Sequence, residues 1–266
     1  ERAASILMRV YQPLFDRMGG EGESPIILTD TSSAEIIKHA ANAFLATKVS
    51  FANMVADLCE ATDANIDDVT CGLGLDPRIG PYMRAGIGYG GSCLPKDVRA
   101  FTSVGERFGV DFSVLKEVHR VNERRVDGYL SKVREAVPAL DGSTLAIWGL
   151  AFKPGTDDVR DAPSLRVVEA LLADRATLRL YDPRAMAEFA RSFPASDSVV
   201  YTASPEDAAG GSDAVLLLTE WPDFLDVDLA EIRGMMRAPV IIDGRNTLAP
   251  DQLRELGFRY ESIGRP

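Results

Sequence analysis

The sequence predicts an α/β protein in which a helical region is followed by a doubly wound parallel sheet. From Thr31 to about Ala61 the chain contains neither Pro nor Gly, as expected for one long helix. Residues 139–266 alternate between short β-branched or apolar runs and helical segments, which is typical of parallel strands joined by crossover helices. With 266 residues, of which 46% are apolar and 26% charged, the composition is that of an ordinary globular protein.

Residues 1–30 are predicted to contain a helix from Ala3 to Phe15 and a short strand from Ile26 to Leu28. One helix and one strand cannot bury their own apolar faces, so we interpret this part as the remnant of a domain that lies outside the chain. We therefore expect the natural protein to begin before Glu1.

The helical region is predicted to cover residues 31–138. Thr31 or either of the next two residues, Ser32 and Ser33, can cap its first helix, and Glu35 stands where a capping box with Ser32 requires it. Apolar residues fall on more than one face of this helix, as in a helix that is buried by several neighbours. A second long helix is expected from Ser113 to Val137.

The sheet region is predicted to cover residues 139–266. Its strand–helix alternation implies right-handed crossovers, and ligands of such sheets bind beyond the carboxyl ends of the strands. No G-x-G-x-x-G motif follows any strand, so we predict no dinucleotide site in this region. The predicted strands are Thr144–Leu150, Thr177–Tyr181, Val199–Thr202, Ala214–Thr219, Val240–Ile242 and Arg259–Ile263.

Charge and cysteine content exclude several classes of function. Lys and Arg number 29 against 40 Asp and Glu, and the net charge of −11 disfavours binding to nucleic acid or to an anionic membrane. Charges interrupt every apolar run before it reaches the ~18 residues of a membrane span. Three cysteines are too few for a disulfide framework, which favours reduced thiols and a cytoplasmic protein. The two histidines have no zinc-ligand spacing, so no metal site is expected.

The strongest chemical signal lies in the Gly- and Pro-rich segment from Cys71 to Asp97. Loops of this length inside compact domains are usually functional. Four glycines fall within residues 86–91, where they could adopt positive φ angles and present backbone N–H groups to an anion.

Cys93 stands at the expected N terminus of a helix that a proline opens. A thiol at that position and beside Lys96 is expected to exist partly as a nucleophilic thiolate. Asp97 is close enough in sequence to act on a proton near the sulfur. The alternative interpretation is a flexible surface turn with an inert cysteine. We interpret Cys59 and Cys71, in contrast, as core thiols.

Several polar residues elsewhere could bind an anionic ligand. Lys38 and Asn42 are one helical turn apart and share a helix face, where they could hold an oxyanion, although a solvated surface lysine is the alternative for Lys38. Lys153 and Arg160 follow the first predicted strand, beside a helix N terminus, and this position favours anion binding. Arg245, at another strand end, is a candidate for the same ligand.

Several motifs occur in order along the chain. They are Lys38…Asn42-Ala43-Phe44, Asp76-Pro77-Arg78-Ile79-Gly80, the run from Gly90 through Cys93 to Asp97, the segment from Gly149 to Arg160, Glu220-Trp221 and Asp243-Gly244-Arg245. By these motifs the chain resembles the UDP-glucose/GDP-mannose dehydrogenase family from about residue 31 to its C terminus. The resemblance implies an NAD-binding domain ahead of this chain, a central helical dimerisation domain and a C-terminal Rossmann-like domain that binds UDP.

The resemblance also implies a role for each matching residue. Cys93 would be the nucleophile, adding to an aldehyde at C6 and forming a thioester after a second oxidation by NAD. Lys38 and Asn42 would stabilise the oxyanion at C6, and Asp97 would help to activate water. The implied binding residues are Lys96 and Arg160 for NAD and, for the substrate, Arg78, Tyr82, Gly86, Gly90, Phe152, Lys153 and Arg245. Arg78 would reach into the partner's site of a homodimer.

The resemblance favours oxidation of UDP-glucose to UDP-glucuronate. The Glu220-Trp221 and Asp243-Gly244-Arg245 segments favour this substrate over GDP-mannose, which stays open as an alternative. Ser92 argues against UDP-N-acetylhexosamines, because enzymes for these sugars usually have His beside the cysteine. Ala85 departs from the Pro that bacterial relatives often have, and we expect little effect from it.

Two hypotheses from other classes of function compete with this one. A non-catalytic module that dimerises and binds UDP-sugar is compatible with the motifs, and the isolated chain is expected to be inactive without an NAD-binding domain. A thiol–disulfide oxidoreductase is excluded, because Cys93 has no Cys-x-x-Cys partner.

Overall fold

The structure is a computed structural model that describes residues 2–17, 26–81 and 83–266. The chain divides into two units, Glu1–Ala40 and Ala41–Pro266. Across the described ranges, no helix is both long enough and apolar enough to cross a membrane.

The N-terminal unit contains helix α1 (Arg2–Arg17), which confirms the helix predicted at Ala3–Phe15. The strand predicted at Ile26–Leu28 is wrong, since the residues there have no regular structure and the side chains of Ile27 and Leu28 are exposed. A strand requires a hydrogen-bonded neighbour, and no described residue of this unit provides one.

Helix α2 (Thr31–Thr62) begins after a cap that was not predicted. The Asp30 carboxylate accepts hydrogen bonds from the Ser33 backbone N–H at 2.9 Å and from the Ser33 hydroxyl at 2.7 Å. These two bonds lower the pKa of Asp30. Because Asp satisfies the first N–H groups of a helix as well as Ser does, Asp30 is the N-cap and the predicted box with Ser32 and Glu35 does not form the cap.

Three more helices complete the helical region: α3 (Ile66–Gly74), α4 (Leu94–Arg107) and α5 (Ser113–Ala136). The second long helix is therefore confirmed to within one residue. Helix α3 shortens the predicted loop, so that only Leu75–Cys93 connects α3 to α4. Asn65 caps α3 by accepting the Asp67 N–H at 2.9 Å.

The rest of the chain forms a six-stranded sheet. Its strands are β1 (Thr144–Trp148), β2 (Thr177–Tyr181), β3 (Val199–Tyr201), β4 (Ala214–Leu217), β5 (Val240–Asp243) and β6 (Arg259–Glu261). All neighbouring strands are parallel, in the order β3-β2-β1-β4-β5-β6. This order confirms the doubly wound prediction and places the switch point between β1 and β4.

Helices fill the crossovers between the strands. They are α6 (Pro163–Ala173), α7 (Met186–Phe189), α8 (Pro205–Ala209), α9 (Leu229–Met235) and α10 (Pro250–Glu255), and a 3₁₀ turn covers Pro222–Leu225. Strand β1 ends two residues earlier than predicted, because Gly149 follows with a φ of +94°. A Cβ on Gly149 would lie 2.5 Å from Cβ of Thr219, so the loops after β1 and β4 touch.

The hydrophobic core joins the sheet to helix α5. Strand β1 is central, and its residues Leu145, Ile147 and Trp148 are fully buried. Tyr129 of α5 is also buried, and its hydroxyl donates to the Ile242 carbonyl of β5 at 2.9 Å. This contact fixes α5 near the carboxyl end of β5, the side on which ligands of such sheets bind.

The last residues of the chain, 262–265, form a C-terminal strap between the helices and the sheet. The Gly264 N–H donates to Oε1 of Glu60 in α2 at 2.7 Å. Asn246, which follows β5, donates to the Ile263 carbonyl at 2.7 Å and accepts the Ile263 N–H at 2.9 Å. The strap therefore ties α2 to a loop at the carboxyl edge of the sheet.

Candidate functional site

The glycine segment, residues 86–91, lies between the helices and the sheet, and buried amide side chains hold it from the helix side. Asn53 of α2 accepts the Gly86 N–H at 2.8 Å. Asn122 of α5 accepts the Tyr89 N–H at 2.8 Å and donates to the Tyr89 carbonyl at 3.0 Å. Both asparagines are buried, so these bonds form in a low-dielectric setting where they fix the backbone firmly.

Backbone bonds hold the glycine segment from the sheet side. The Ile87 N–H donates to the Gly244 carbonyl at 3.0 Å, and the Gly91 N–H donates to the Arg160 carbonyl at 2.9 Å. With the two bonds to asparagine, the N–H groups of residues 86, 87, 89 and 91 are used within the protein. The expectation that this segment offers its N–H groups to an anion is wrong for these four, because the loop is anchored by them instead.

The glycines instead permit close packing. A Cβ on Gly90 would lie 2.3 Å from the Asp161 carbonyl oxygen. Gly91 has a φ of +83°, and its Cβ would lie 2.7 Å from the Phe152 ring. The segment therefore packs against the loop after β1 at a distance that only glycine permits.

Cys93 occupies the N-cap position of α4, and its side chain is exposed. Its Sγ lies 3.8 Å from the Ser92 hydroxyl, and its carbonyl accepts the Asp97 N–H at 2.8 Å. The thiol thus stands at the start of a helix of 14 residues, where the helix dipole favours negative charge.

Asp97 links helix α2 to the start of α4. Its carboxylate is buried, accepts the Asn42 side-chain N–H at 2.5 Å and lies 3.2 Å from the Lys96 ammonium. Asn42 therefore reaches from α2 to the first turn of α4, one turn after Cys93. Lys38 is exposed on α2, within the N-terminal unit, one helical turn before Asn42.

Arg78, a predicted substrate residue, lies away from these side chains. Arg78 is carried on a turn, where its guanidinium bonds Asp76 at 2.6 Å and its side chain is 88% exposed. These bonds lower the pKa of Asp76. Arg78 therefore points outward from the part of the chain described. Tyr82 lies outside the described residues.

A cavity of about 470 Å³ lies between the glycine segment and the sheet. Four of the predicted residues line it, namely Gly90, Phe152, Lys153 and Arg245, whereas Gly86 lies behind it in contact with Gly244. Arg84 and Glu220 also line the cavity, although sequence reasoning selected neither as a site residue. Three cations against one carboxylate favour an anionic ligand.

Arg245 is held in place by several backbone carbonyls. Its guanidinium donates to the Leu218 carbonyl at 2.8 Å and to the Gly88 carbonyl at 3.0 Å, and it lies 3.4 Å from the Glu220 carboxylate. The Arg245 N–H in turn donates to Asp243 at 2.9 Å, and burial raises the pKa of that carboxyl group. Arg245 thus joins the glycine segment to the strand ends.

A second, larger cavity of about 680 Å³ adjoins the first. The two share Pro81, Met83, Arg84, Glu220 and Arg245. Cys71 lines the larger cavity and is exposed, so its interpretation as a core thiol is wrong: of the residues of α3 only Ile66 is buried. Cys59 is buried, as predicted.

The loop after β1 carries the remaining predicted cations. Lys153 is exposed and lies 5.4 Å from the centre of the Phe152 ring. Arg160 forms two bonds with Asp158, at 2.9 and 2.7 Å, which lower the pKa of Asp158. The same pair raises the pKa of Arg160, and the nearby Cys93 adds a smaller contribution in the same direction. Arg160 therefore lies within electrostatic range of the thiol.

Sequence reasoning missed the residues that hold the glycine segment. Besides Asn53 and Asn122, Arg125 approaches the Gly86 carbonyl at 3.4 Å and pairs with Asp57 at 2.5 Å. The available signal was a polar residue in the buried register of a helix, since such residues must find partners inside the protein. Within the described residues, no group of three or more His, Cys, Asp or Glu side chains is placed to hold a metal ion.

Comparison with known proteins agrees with the sequence motifs. Residues 32–124 match the central domain of the UDP-glucose/GDP-mannose dehydrogenase family, and residues 146–250 match its UDP-binding domain. The chain is 44% identical, over its whole length, to a UDP-glucose 6-dehydrogenase of Pseudomonas aeruginosa, of which it covers 58%.

Two solved structures are similar over the whole chain. A UDP-glucose dehydrogenase from Pyrobaculum islandicum superposes with a TM-score of 0.84 at 35% identity, and 57% of that chain is covered. A UDP-D-ManNAc dehydrogenase from Pyrococcus horikoshii superposes with a TM-score of 0.81 at 30% identity, with 58% covered. The chain therefore spans less than two thirds of the length of these relatives.

Proposed function

The chain belongs to the UDP-glucose/GDP-mannose dehydrogenase family, and on this basis we propose that it carries the substrate cavity and the nucleophile of an NAD-dependent enzyme that oxidises UDP-glucose to UDP-glucuronate. The observation that carries the proposal is the exposed Cys93 thiol at the start of α4, one turn from the Asn42–Asp97 bond. The NAD-binding domain would belong to a part of the protein outside this chain.

The two adjoining cavities support a nucleotide sugar as the ligand. An elongated molecule with a sugar, a diphosphate and a nucleoside needs connected compartments, and here the shared wall holds Arg84 and Arg245. These guanidinium groups and Lys153 would bind the diphosphate, because cations placed at a concave surface concentrate an anion even on an acidic protein. The Asp243-Gly244-Arg245 and Glu220-Trp221 motifs favour UDP-glucose over GDP-mannose.

Cys93 would act as the nucleophile at C6. After a first oxidation has converted the C6 alcohol to an aldehyde, the thiolate would add to the carbonyl carbon and leave the negative charge on oxygen. Asn42 and Lys38 share a face of α2, from which an amide N–H and an ammonium group would stabilise that oxyanion. Loss of hydride from the adduct gives a thioester on Cys93.

Asp97 would support the last step, in which water hydrolyses the thioester and releases the carboxylate and the thiol. The buried carboxylate could accept a proton from the attacking water. Its bonds to Asn42 and Lys96 fix it one helical turn from the sulfur.

The chain also contains residues that suit part of an NAD molecule. Lys96 follows Cys93 by three residues, and the side chains of Lys96 and Arg160 are 67% and 70% exposed. Each could therefore contact a pyrophosphate from a neighbouring domain while it remains paired with its carboxylate. NAD, when bound, accepts the hydrides released from C6. The sheet itself does not suit a dinucleotide at its switch point, because the loops at Gly149 and Thr219 touch there.

The exposed face of α2 supports a homodimer. Phe44, Phe51, Met54 and Leu58 recur on one face of the helix and are each at least half exposed. An apolar row of this kind marks an interaction surface. In such a dimer the outward Arg78 would reach the partner's substrate site.

The proposal is tested with a Cys93→Ser variant. UDP-glucose binding to the chain, measured by calorimetry, is expected to persist with little change, because Cys93 lines neither of the two cavities. In the protein that combines this chain with its NAD-binding domain, NADH production from UDP-glucose is expected to stop. Uronate formation by the variant, or a preference for GDP-mannose in a survey of nucleotide sugars, would contradict the proposal.

A further inference from the structure

A buried carboxylate at the end of β2 accepts an unusual number of hydrogen bonds. Asp182 is fully buried. Its Oδ2 accepts the Leu150 N–H at 2.7 Å, the Ala151 N–H at 3.0 Å and the Trp221 indole N–H at 3.0 Å. Its Oδ1 accepts the N–H groups of Arg184 and Ala185, each at 2.8 Å. All five donors are uncharged, so N–H dipoles compensate the buried charge without a cation among these partners.

This carboxylate lies at the switch point of the sheet. Sheets with this strand order bind ligands in the crevice between the loops after β1 and β4, with a phosphate on the N–H groups that follow β1. Here the N–H groups of Leu150 and Ala151 point to Asp182. The Thr219 hydroxyl donates to the Ala151 carbonyl at 2.5 Å, so the two loops are joined directly. An internal anion therefore occupies the position of a ligand's anion.

The bonds of Asp182 reach both loops that line the substrate cavity. Ala151 is followed by Phe152, whose ring packs against Gly91, two residues before Cys93. Trp221, whose indole bonds Asp182, is the residue after Glu220, and Glu220 lines both cavities. One side chain thus sets the position of two walls that belong to different strands.

We propose that Asp182 is the positioning residue of the substrate cavity, acting as a built-in anion that fills the switch-point crevice and holds the Phe152 and Trp221 loops together. The proposal rests on the function proposed above. Because the Asp182 side chain fills the switch-point crevice, the substrate would bind outside that crevice, between the strand-end loops and the glycine segment.

Removal of the carboxylate would leave a recognisable hole. In an Asp182→Ala variant, five N–H groups would surround an empty space. Formate would fit this space, because it is a small anion with the same carboxylate group as the lost side chain. Formamide has nearly the same size but is neutral and carries N–H donors of its own. Formate is therefore expected to restore the site, and formamide is not.

The experiment compares UDP-glucose affinity and the Trp221 indole signal in the variant with and without formate. Asp182→Ala is expected to weaken UDP-glucose binding about tenfold by calorimetry, since loss of this anchor leaves buried donors unpaired. In ¹H–¹⁵N spectra the Trp221 Nε1–H resonance should lose its hydrogen-exchange protection. Saturating formate should return both readouts toward the wild type, while equal formamide should not.

Two further variants separate positioning from general stability. Asp213 accepts the Thr144 N–H at 2.8 Å at the opposite, amino end of the sheet, so Asp213→Ala is expected to lower the melting temperature without altering UDP-glucose affinity. Trp221→Phe removes one donor and keeps an aromatic ring, and it should weaken binding about threefold. The missing indole signal of this variant also assigns the Trp221 resonance. If Asp182→Ala does not fold, the UDP-glucose affinity of Trp221→Phe tests the proposal instead.

The proposal would be overturned if folded Asp182→Ala bound UDP-glucose with wild-type affinity, or if formate did not relieve its defect. If Asp182→Ala is unfolded, an unchanged UDP-glucose affinity in Trp221→Phe would overturn it. Failure of the proposed function would look different. The wild-type chain would then not bind UDP-glucose, yet the formate-dependent recovery of the indole signal would still report whether Asp182 holds the two loops.

Discussion

Gly91 is the residue at which the loop before Cys93 meets the sheet. Its φ of +83° and the Phe152 ring, 2.7 Å from where a Cβ would stand, leave no room for a side chain. The glycine segment and the loop after β1 can therefore approach this closely only because Gly91 has no Cβ. Because Cys93 follows two residues later, strain at Gly91 would be passed directly to the start of α4.

A pair of glycine substitutions tests this packing. Gly91→Ala is expected to lower the free energy of unfolding by about 1–3 kcal/mol, from backbone strain and overpacking. Gly128 lies in α5 with nothing within 4 Å of an added Cβ. Gly128→Ala is therefore expected to raise the free energy of unfolding by about 0.5–1 kcal/mol, because Ala has the higher helix propensity. Urea unfolding measures both. Equal effects of the two substitutions would rule out the packing argument.

The Asp158–Arg160 pair has a defined pH dependence. Its hydrogen bonds lower the pKa of Asp158. The pair therefore stabilises the folded loop above the ordinary Asp pKa of about 3.9, and this contribution is lost as pH falls through the lowered folded value. An NMR titration of the Asp158 carboxyl carbon should show a midpoint below 3.8. Arg160→Gln should move the midpoint upward, and an unmoved midpoint would show that Arg160 is not the cause.

At this scale the side-chain contacts between distant residues were the hardest feature to predict from the sequence. Cys93 and Asp97 were selected as a thiol at a helix start and a carboxylate close to it, and Asn42 because it shares a helix face with Lys38. The structure brings Asn42 and Asp97 into contact, a pairing that was not predicted. Asn122 was missed, since its bonds to Tyr89 join residues 33 positions apart, and helix periodicity does not reveal such a partner. Asp182, which directly follows the predicted strand Thr177–Tyr181, was not selected as a site residue.

Among the elements, the parallel sheet was predictable because each strand is short, apolar and separated by a helix. The observed order of the strands confirms the doubly wound class. The strand predicted at Ile26–Leu28 was wrong because an apolar triplet alone does not supply a pairing partner. The cap of α2 was wrong by one residue, since Asp30 and its neighbours have similar capping ability.

Helix α2 carries the prediction on assembly. Phe51 is 50% exposed on its apolar face, and Phe51→Lys is expected to dissociate the proposed dimer, because a dimer would bury the new charge. Sedimentation velocity would show a fall to the monomer mass. Leu225→Lys, at a position 59% exposed beside the larger cavity, is the matched control and should leave the mass unchanged. A monomeric wild-type chain would contradict the dimer itself.

For the whole molecule, the C-terminal strap couples the helices to the sheet. Gly264 bonds Glu60 and accepts the Ile66 N–H at 2.8 Å, and Arg265 lies 2.7 Å from the Asp67 carboxylate. A Cβ on Gly264 would lie 2.7 Å from Cβ of Ala56, so this junction is closely packed. The helical region and the sheet region are thus held together at both α5 and the strap.

Truncation after Ile263 tests the coupling. Loss of the Gly264 and Arg265 bonds is expected to lower the free energy of unfolding by about 2–4 kcal/mol, and calorimetry should show separate transitions for the helices and the sheet. Removal of Pro266 alone, which is exposed, should leave one transition at nearly the original temperature. One unshifted transition in the longer truncation would show that α5 alone suffices.

The position of Arg265 has a practical consequence. This residue lines the larger cavity, and Pro266 follows it at the surface. A fluorophore attached through a short spacer at position 266 would lie beside that cavity. Its emission could then serve as an optical sensor of ligand entry, with no label on any residue of the catalytic centre.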